Sequence, residues 1–294
     1  LSFYISLLLG FIVGEDSAGG AFTDYNVHLK VREFFLNDTL YALRNYLDVG
    51  AIGGGHSPLF IVFLKYLLLA NETLGRFIFL NLSILIPIIF YLTLKKKVQN
   101  NFLAIFFLSN IFFISPYFRS IAIWPGDENL AILFFILSIY FYTSFIKSND
   151  SNLKIRSMIY NIGFLALASY FRPLYAFFSL FFFYEFILKD FKFNYFFIYI
   201  FISALLAFPA LYYIFILKVV FFSNTVGSFN LVNSFSLTYS VLLFFLIPFI
   251  FFTKTYSSYF KLKKINIFLT IIFSIIVYQF FNYQMSSGGG VFFQ

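Results

Sequence analysis

Cysteine is absent from the 294 residues, and there are only two histidines and one tryptophan. Disulfides and thiolate metal centres are therefore excluded, and His28 and His56 are too few for a histidine-rich metal site. Charge is scarce as well. Charged residues make up 11% of the chain against 61% hydrophobic, whereas an ordinary soluble domain carries roughly a quarter charged. No GxxxxGK[ST] loop or GxGxxG turn occurs, so a nucleotide site has no motif to rest on. What is present is a succession of apolar runs along the whole length, the pattern of a polytopic membrane protein. The 51 Phe and 22 Tyr, with abundant Ile, Asn and Lys, follow an AT-rich codon bias and carry no functional assignment.

The candidate spans are 1–13, 75–94, 102–118, 128–146, 157–171, 173–188, 194–217, 235–252 and 265–282, each able to cross a core of ~30 Å with tilt or a short break. They lack the two-residue alternation of a membrane barrel, so the expected fold is an all-α integral membrane bundle. The chain begins at Leu1 without Met and stops at GGGVFFQ. It is expected to be a fragment of one transmembrane domain over 1–294, with 1–13 a clipped first span rather than a signal peptide.

Twelve of the twenty Lys and Arg fall in KKKVQNN (95–101), KSNDSNLKIRS (147–157), KDFKFN (189–194) and KTYSSYFKLKK (254–264). The positive-inside rule places these loops in the cytoplasm, so the net charge of +8 reads as an orientation signal and not as a nucleic-acid footprint. The run SPLFIVFLKYLLLA (57–70) is apolar but holds Lys65. Counting it as a span would put KKK outside and invert every later loop. It is expected to lie at the outer face or dip in partway, which makes 14–74 one long external loop. Loops of that length inside compact proteins are usually functional.

The external side then collects most of the twelve acids. An enzyme there has no ATP or nucleotide sugar to draw on and needs a membrane-carried donor. Within TDYNVHLKVREFF, Thr23 is a candidate N-cap and Val27, Val31 and Phe34 form an apolar stripe. Asp24 and His28, four apart, share a face beside it. Asp24 suits a general base or a cation ligand, and equally a plain capping acid. In GAIGGGHSPLF (50–60), Pro58 suits a helix first turn, and His56 suits a substrate hydrogen bond or a helix cap. SPYFRSIAIWPGDENL (115–130) places Arg119, Trp124 and Asp127 at the outer interface, with Trp124 assigned to the aromatic belt. In SYFRPLY (169–175), Arg172 stands between two short apolar halves, where it either snorkels or takes a lipid-linked phosphate into its fork of donors.

The order of these pieces resembles the GT-C superfamily of polytopic glycosyltransferases, which includes the protein O-mannosyltransferases and the lipid A aminoarabinose transferases. The matching pieces are GGAFTDYNVH (19–28), HSPLFIVFLKYLL (56–68), RFIFLNLSILIPIIFYLTLKKK (76–97), WPGDENLAILFFILSIYFY (124–142) and ASYFRPLYAFF (168–178). The resemblance covers roughly residues 1–190. It implies a bundle of about nine transmembrane helices whose long first external loop contains juxtamembrane helices and the active site. It also implies an inverting transfer from a polyprenyl-phosphate sugar to a lipid, glycan or protein acceptor, at the external face of a bacterial inner membrane. On this reading Asp24 is the catalytic base, with Glu15 and Asp16 in reserve at the membrane edge. Arg172 and Arg119 would hold the donor phosphate, and His28, His56, Tyr25 and Asp127 would line the substrate. The family contains members with and without a divalent metal, and the sequence leaves the cofactor open. Two other classes compete, a transporter or flippase and an envelope polysaccharide polymerase. A transporter would concentrate its charges at the midplane and show internal repeats. A polymerase would carry its main external loop late in the chain.

Overall fold

The computed structural model describes residues 2–46, 48, 57–97, 102–188 and 192–215, all within one compact unit, Leu1–Thr225. Every regular element among them is helical. Ser2–Val13 (α1) leads through a short loop to Ala21–Asn37 (α2) and Thr39–Arg44 (α3), and Pro58–Leu67 (α4) precedes the long helix Glu72–Lys97 (α5). Phe102–Asn110 (α6) continues as a 3-10 turn, Ile111–Ile114, and Pro116–Ile123 (α7) leads to Asp127–Lys147 (α8) and Ser151–Phe171 (α9). A 3-10 turn (Pro173–Phe177), Phe178–Phe183 (α10), a π-helical turn (Tyr184–Leu188) and Phe193–Phe215 (α11) complete the series.

Among the described residues three helices, Glu72–Lys97, Asp127–Lys147 and Phe193–Tyr213, are long and apolar enough to cross a membrane. A fourth crossing arises if the bent pair Phe102–Ile114 and Pro116–Ile123 counts as one span. The expected straight span 102–118 is thus broken by 61°. Pro116 is the cause: it pushes Ser115 into the extended region (ψ 117°), and the Ser115 hydroxyl then caps the new helix at Phe118 N–H, 3.4 Å. The helix expected over 157–171 starts six residues earlier, because Asp150 caps it at Asn152 N–H (2.8 Å) and the basic stretch forms its first turns. The expected spans 235–252 and 265–282 and the lysine loop 254–264 lie outside the described residues.

The run 57–70 forms α4 over ten residues, about 15 Å of helix and half a membrane core. It buries Phe60, Ile61 and Leu64, each contributing about 1.5–3 kcal/mol of apolar burial. Lys65 reaches across to α2 and donates to the Phe35 carbonyl (2.9 Å) and to Thr39 Oγ1 (2.7 Å). Arg32 of α2 returns the contact, donating to the Leu68 carbonyl at the end of α4 (3.2 Å). Each helix therefore supplies the cation that satisfies the other's C-terminal carbonyls. Ser57 Oγ donates to the Tyr170 carbonyl, which ties the start of α4 to the end of α9.

The helices pack around two apolar clusters. One gathers residues of α1, α2, α4, α5, α7 and α8, and the other joins α9, α10, the π turn and α11. α5 and α8 run parallel, since Ser83 midway along α5 meets Asn129 at the start of α8 (3.2 Å) and Lys96 Nζ meets Ser144 Oγ near the ends of both. α8 and α9 form an antiparallel hairpin, shown by Asn161 Nδ2 donating to the Ser138 carbonyl (2.9 Å) and by Phe134 stacked on Phe171. Lysines consequently gather at one end of the bundle. There Lys96 covers the Tyr140 ring, Lys154 the Phe145 ring and Lys192 the Tyr195 ring, and Phe145 contacts Tyr195 directly. The start of α8 lies at the other end, about 30 Å away for a 21-residue helix.

Close helix approach depends on Gly75. A methyl group there would stand 2.6 Å from the Leu67 carbonyl oxygen and 2.5 Å from Leu68 Cδ2, so α4 and α5 would have to separate. Gly75→Ala is expected to cost about 1–3 kcal/mol of stability. Gly163→Ala, where nothing lies within 4 Å, should be neutral or stabilise by up to about 1 kcal/mol through helix propensity. Thermal unfolding of both variants in detergent checks the contrast.

Candidate functional site

The polar end begins where α1 stops. Gly14 takes a left-handed conformation (φ 68°), its N–H donates to the Phe11 carbonyl (3.3 Å), and the Glu15 N–H donates to the Gly10 carbonyl (2.8 Å). This paired turn satisfies the orphan carbonyls and reverses the chain. Glu15 is carried back over α1, where Gly10 leaves room for its carboxylate. It meets Arg119 of α7 in a two-pronged pair, Nε to Oε1 at 2.8 Å and Nη2 to Oε2 at 2.5 Å. Arg119 also donates to the hydroxyl and carbonyl of Ser6, both at 3.1 Å. The hydrogen bond from Arg119 outweighs burial and holds the Glu15 carboxyl below its ordinary value of 4.5. Arg119 and Glu15 are thus engaged with one another, joining α7 to the end of α1.

Asp16 has a different task. Its carboxylate accepts from the N–H groups of Gly20 (3.2 Å), Ala21 (3.3 Å) and Phe22 (3.2 Å) and so caps α2. The chain enters this helix through Gly20, whose φ of 103° suits glycine. The N-cap expected at Thr23 is therefore displaced, and Thr23 lies inside the first turn. The inward stripe also differs from the expected Val27, Val31 and Phe34. Tyr25, His28, Val31 and Phe35 are buried, while Phe34 is 42% exposed. Asp24 is consequently exposed, and His28, four residues on, is sunk in the core with its ring 5.0 Å edge-on from Phe60. Tyr25 donates to Glu72 Oε1 at 3.2 Å, and burial followed by the Glu72 charge pushes its phenol upward.

The α8–α9 hairpin builds the second polar group. Two 21-residue helices joined by three residues bring the start of one beside the end of the other. Arg172, which follows α9 and precedes Pro173, donates from Nη2 to Asp127 Oδ1 at 2.9 Å and pairs through the same nitrogen with Glu128 Oε1. Acids at a helix start and a cation at a helix end both agree with the peptide dipoles. The Asp127 side chain is 1% exposed, Glu128 21% and Arg172 35%. Tyr117 of α7 links this group to α2, its phenol lying within electrostatic reach of Arg172, Asp127 and Asp24. Burial, then Tyr213 and Asp127, raise the Tyr46 phenol on the α3 side.

Of the residues singled out from sequence, Asp127 and Arg172 are therefore paired directly, and Asp24 stands within electrostatic reach of the neighbouring Tyr117. Glu15 and Arg119 form a separate clamp, Asp16 is a helix cap, and His28 and Tyr25 face the core. His56 lies outside the described residues. Three contributors were missed. Glu128 adjoins Asp127 in the same helical turn, a signal the sequence did offer. Tyr117 follows the Ser-Pro break that aims it. Trp124, assigned to the aromatic belt, instead lies under the Arg76 guanidinium (3.5 Å to the ring centroid), meets Phe22 edge-on at 4.6 Å and donates from Nε1 to the Glu15 carbonyl at 3.1 Å.

Among the described residues no group of three His, Asp or Glu side chains is placed to hold a metal ion. Comparison of the chain with protein-family models, with curated proteins and with solved structures gives no match.

The Glu15–Arg119 pair predicts an acid-side loss of stability. Because the folded-state carboxyl is depressed, its contribution is complete above pH 4.5 and disappears as the pH falls below that value. Glu15→Gln should unfold earlier than wild type at neutral pH, with the gap between the two midpoints closing as the pH falls below 4.5. A gap that stays constant across a detergent unfolding series would show that the pair does not titrate this way.

Proposed function

We propose that this chain is a GT-C-type membrane glycosyltransferase, a bundle of about nine transmembrane helices whose long first external loop, 14–74, carries the base. It transfers a sugar from a polyprenyl-phosphate donor to a lipid, glycan or protein acceptor at the outer face of a bacterial inner membrane. The observation that carries this reading is the pairing of half-exposed Arg172 with buried Asp127, with exposed Asp24 in electrostatic reach of the Tyr117 beside them, at the end of the bundle opposite the lysines. A base and a cation on one membrane face suit a donor whose tail stays in the bilayer. The lysines at the opposite end agree with the cytoplasmic side.

Asp24 accepts the proton of the acceptor hydroxyl, and the acceptor oxygen forms a bond to the anomeric carbon from the face opposite the leaving group. The bond between that carbon and the phosphate oxygen breaks, and the electron pair departs on the phosphate, so the configuration inverts. Arg172 stabilises the charge that develops on the leaving phosphate. Asp127 holds Arg172 in place from its buried side. Glu15, Asp16 and Arg119 act on architecture rather than on substrate.

Membranes given a radiolabelled polyprenyl-phosphate sugar test the assignment. Asp24→Asn should lower kcat by about 10²–10⁴-fold with little change in donor KM, the range for a lost general base. Arg172→Gln should raise donor KM and lower kcat together. Undiminished transfer by Asp24→Asn would reject the base. Movement of the intact lipid-linked sugar across the bilayer, without transfer, would instead favour a flippase.

A further inference from the structure

Arg172 makes both of its acidic contacts through one nitrogen. Asp127 Oδ1 and Glu128 Oε1 share Nη2, while Nε has no hydrogen-bond partner among the described residues. The two acids differ in what it would cost to release them. Asp127 is 1% exposed, and a buried carboxylate stripped of its cation is strongly destabilising. Glu128 is 21% exposed, so water can take over its carboxylate once the arginine lets go. Its reach also depends on a missing side chain. At Gly126 a methyl group would stand 2.7 Å from Glu128 Oε2 and 2.9 Å from Ile121 Cγ2, so the glutamate head lies folded back over the glycine.

We propose that Glu128 is a displaceable stand-in for the phosphate group of the ligand, occupying the Arg172 fork until the donor arrives, whereas Asp127 is the fixed anchor. This rests on the reading of Arg172 as a donor site. Two carboxylates against one guanidinium leave the group with a net charge of −1, which repels an anion. Exchange of Glu128 for a phosphate replaces one charge-assisted pair by another with a second oxygen available to the spare donors. The stand-in keeps a half-exposed arginine paired in the empty site and sets a threshold that a single weak anion does not cross. Glu128 is a positioning residue here, since it acts through Arg172.

The sign of the effect separates this role from a structural one. A residue needed for architecture weakens binding when changed, whereas removal of a competitor strengthens it. With the full chain in detergent, binding of a short-chain polyprenyl phosphate and of inorganic phosphate is titrated for wild type, Glu128→Gln, Gly126→Ala, Asp127→Asn and Arg172→Gln. Glu128→Gln should bind the prenyl phosphate about two- to fivefold more tightly than wild type, as for loss of one partly solvated competing charge. Gly126→Ala, which crowds the glutamate off the fork, should shift affinity in the same direction. Asp127→Asn and Arg172→Gln should weaken it at least tenfold. Tightening seen for prenyl phosphate and not for inorganic phosphate identifies the lipid headgroup as the ligand, and equal tightening for both identifies the phosphate group alone. Binding that Arg172→Gln abolishes but Glu128→Gln leaves unchanged or weakens would overturn the stand-in while preserving the donor site. Absence of binding by all five proteins would overturn the donor reading itself.

Discussion

The ion pair between Asp127 and Arg172 is the contact on which the polar end of the molecule depends. It closes the mouth of the α8–α9 hairpin, so two long helices share one end point instead of splaying. Placing a nearly dry carboxylate there would be prohibitive without a cation, and placing an arginine in an apolar break would be nearly as costly alone. Each makes the other tolerable, and the helix dipoles add to both. The pair then fixes the arginine in position for whatever approaches from α2 and α7. Breaking it would release a buried charge and loosen the seam at once.

The Glu15–Arg119 clamp and the reciprocal capping by Lys65 and Arg32 work at the next level. The clamp joins α7 to the end of α1, and the two cations join the short helices α2 and α4 to one another. A ten-residue apolar helix on its own would partition indifferently between interface and core. Pinned through its lysine to the end of α2 and through Ser57 to α9, it becomes a fixed wall. The charged side chains of this protein therefore serve mainly as joints between helices, and few are left for chemistry. That scarcity makes the cluster of Asp127, Glu128 and Arg172 stand out.

Much of this was legible in the sequence because charge placement in an apolar chain is costly and therefore informative. The lysine loops located helix ends, KKK at 95–97 argued against a crossing at 57–70, and Pro173 marked a break that the structure contains. Asp127 and Arg172 were both singled out, and they pair directly, with Asp24 in electrostatic reach of the neighbouring Tyr117. What failed were matters of phase and pairing. The apolar stripe of α2 was misplaced by one position at each end: the buried face runs through Tyr25, His28, Val31 and Phe35, which takes His28 inside and leaves Asp24 at its exposed edge. The partnership of Glu15 with Arg119 spans 104 positions and depends on a reversal at Gly14 that leaves no periodic trace. Trp124 looked like a belt residue because sequence position gives depth but not neighbours, and its neighbour Arg76 comes from a different helix.

That tryptophan has a practical consequence. It is the sole indole in the chain, held between a guanidinium, an aromatic edge and the Glu15 carbonyl, three residues before the anchoring aspartate. Its emission therefore arises from a single known address at the junction of α1, α2, α5 and α7. Excited at the red edge, where the tyrosines are silent, the protein carries its own optical gauge. Any slip of α2 against α7 alters the field around that one ring and shifts its colour, without a label being added.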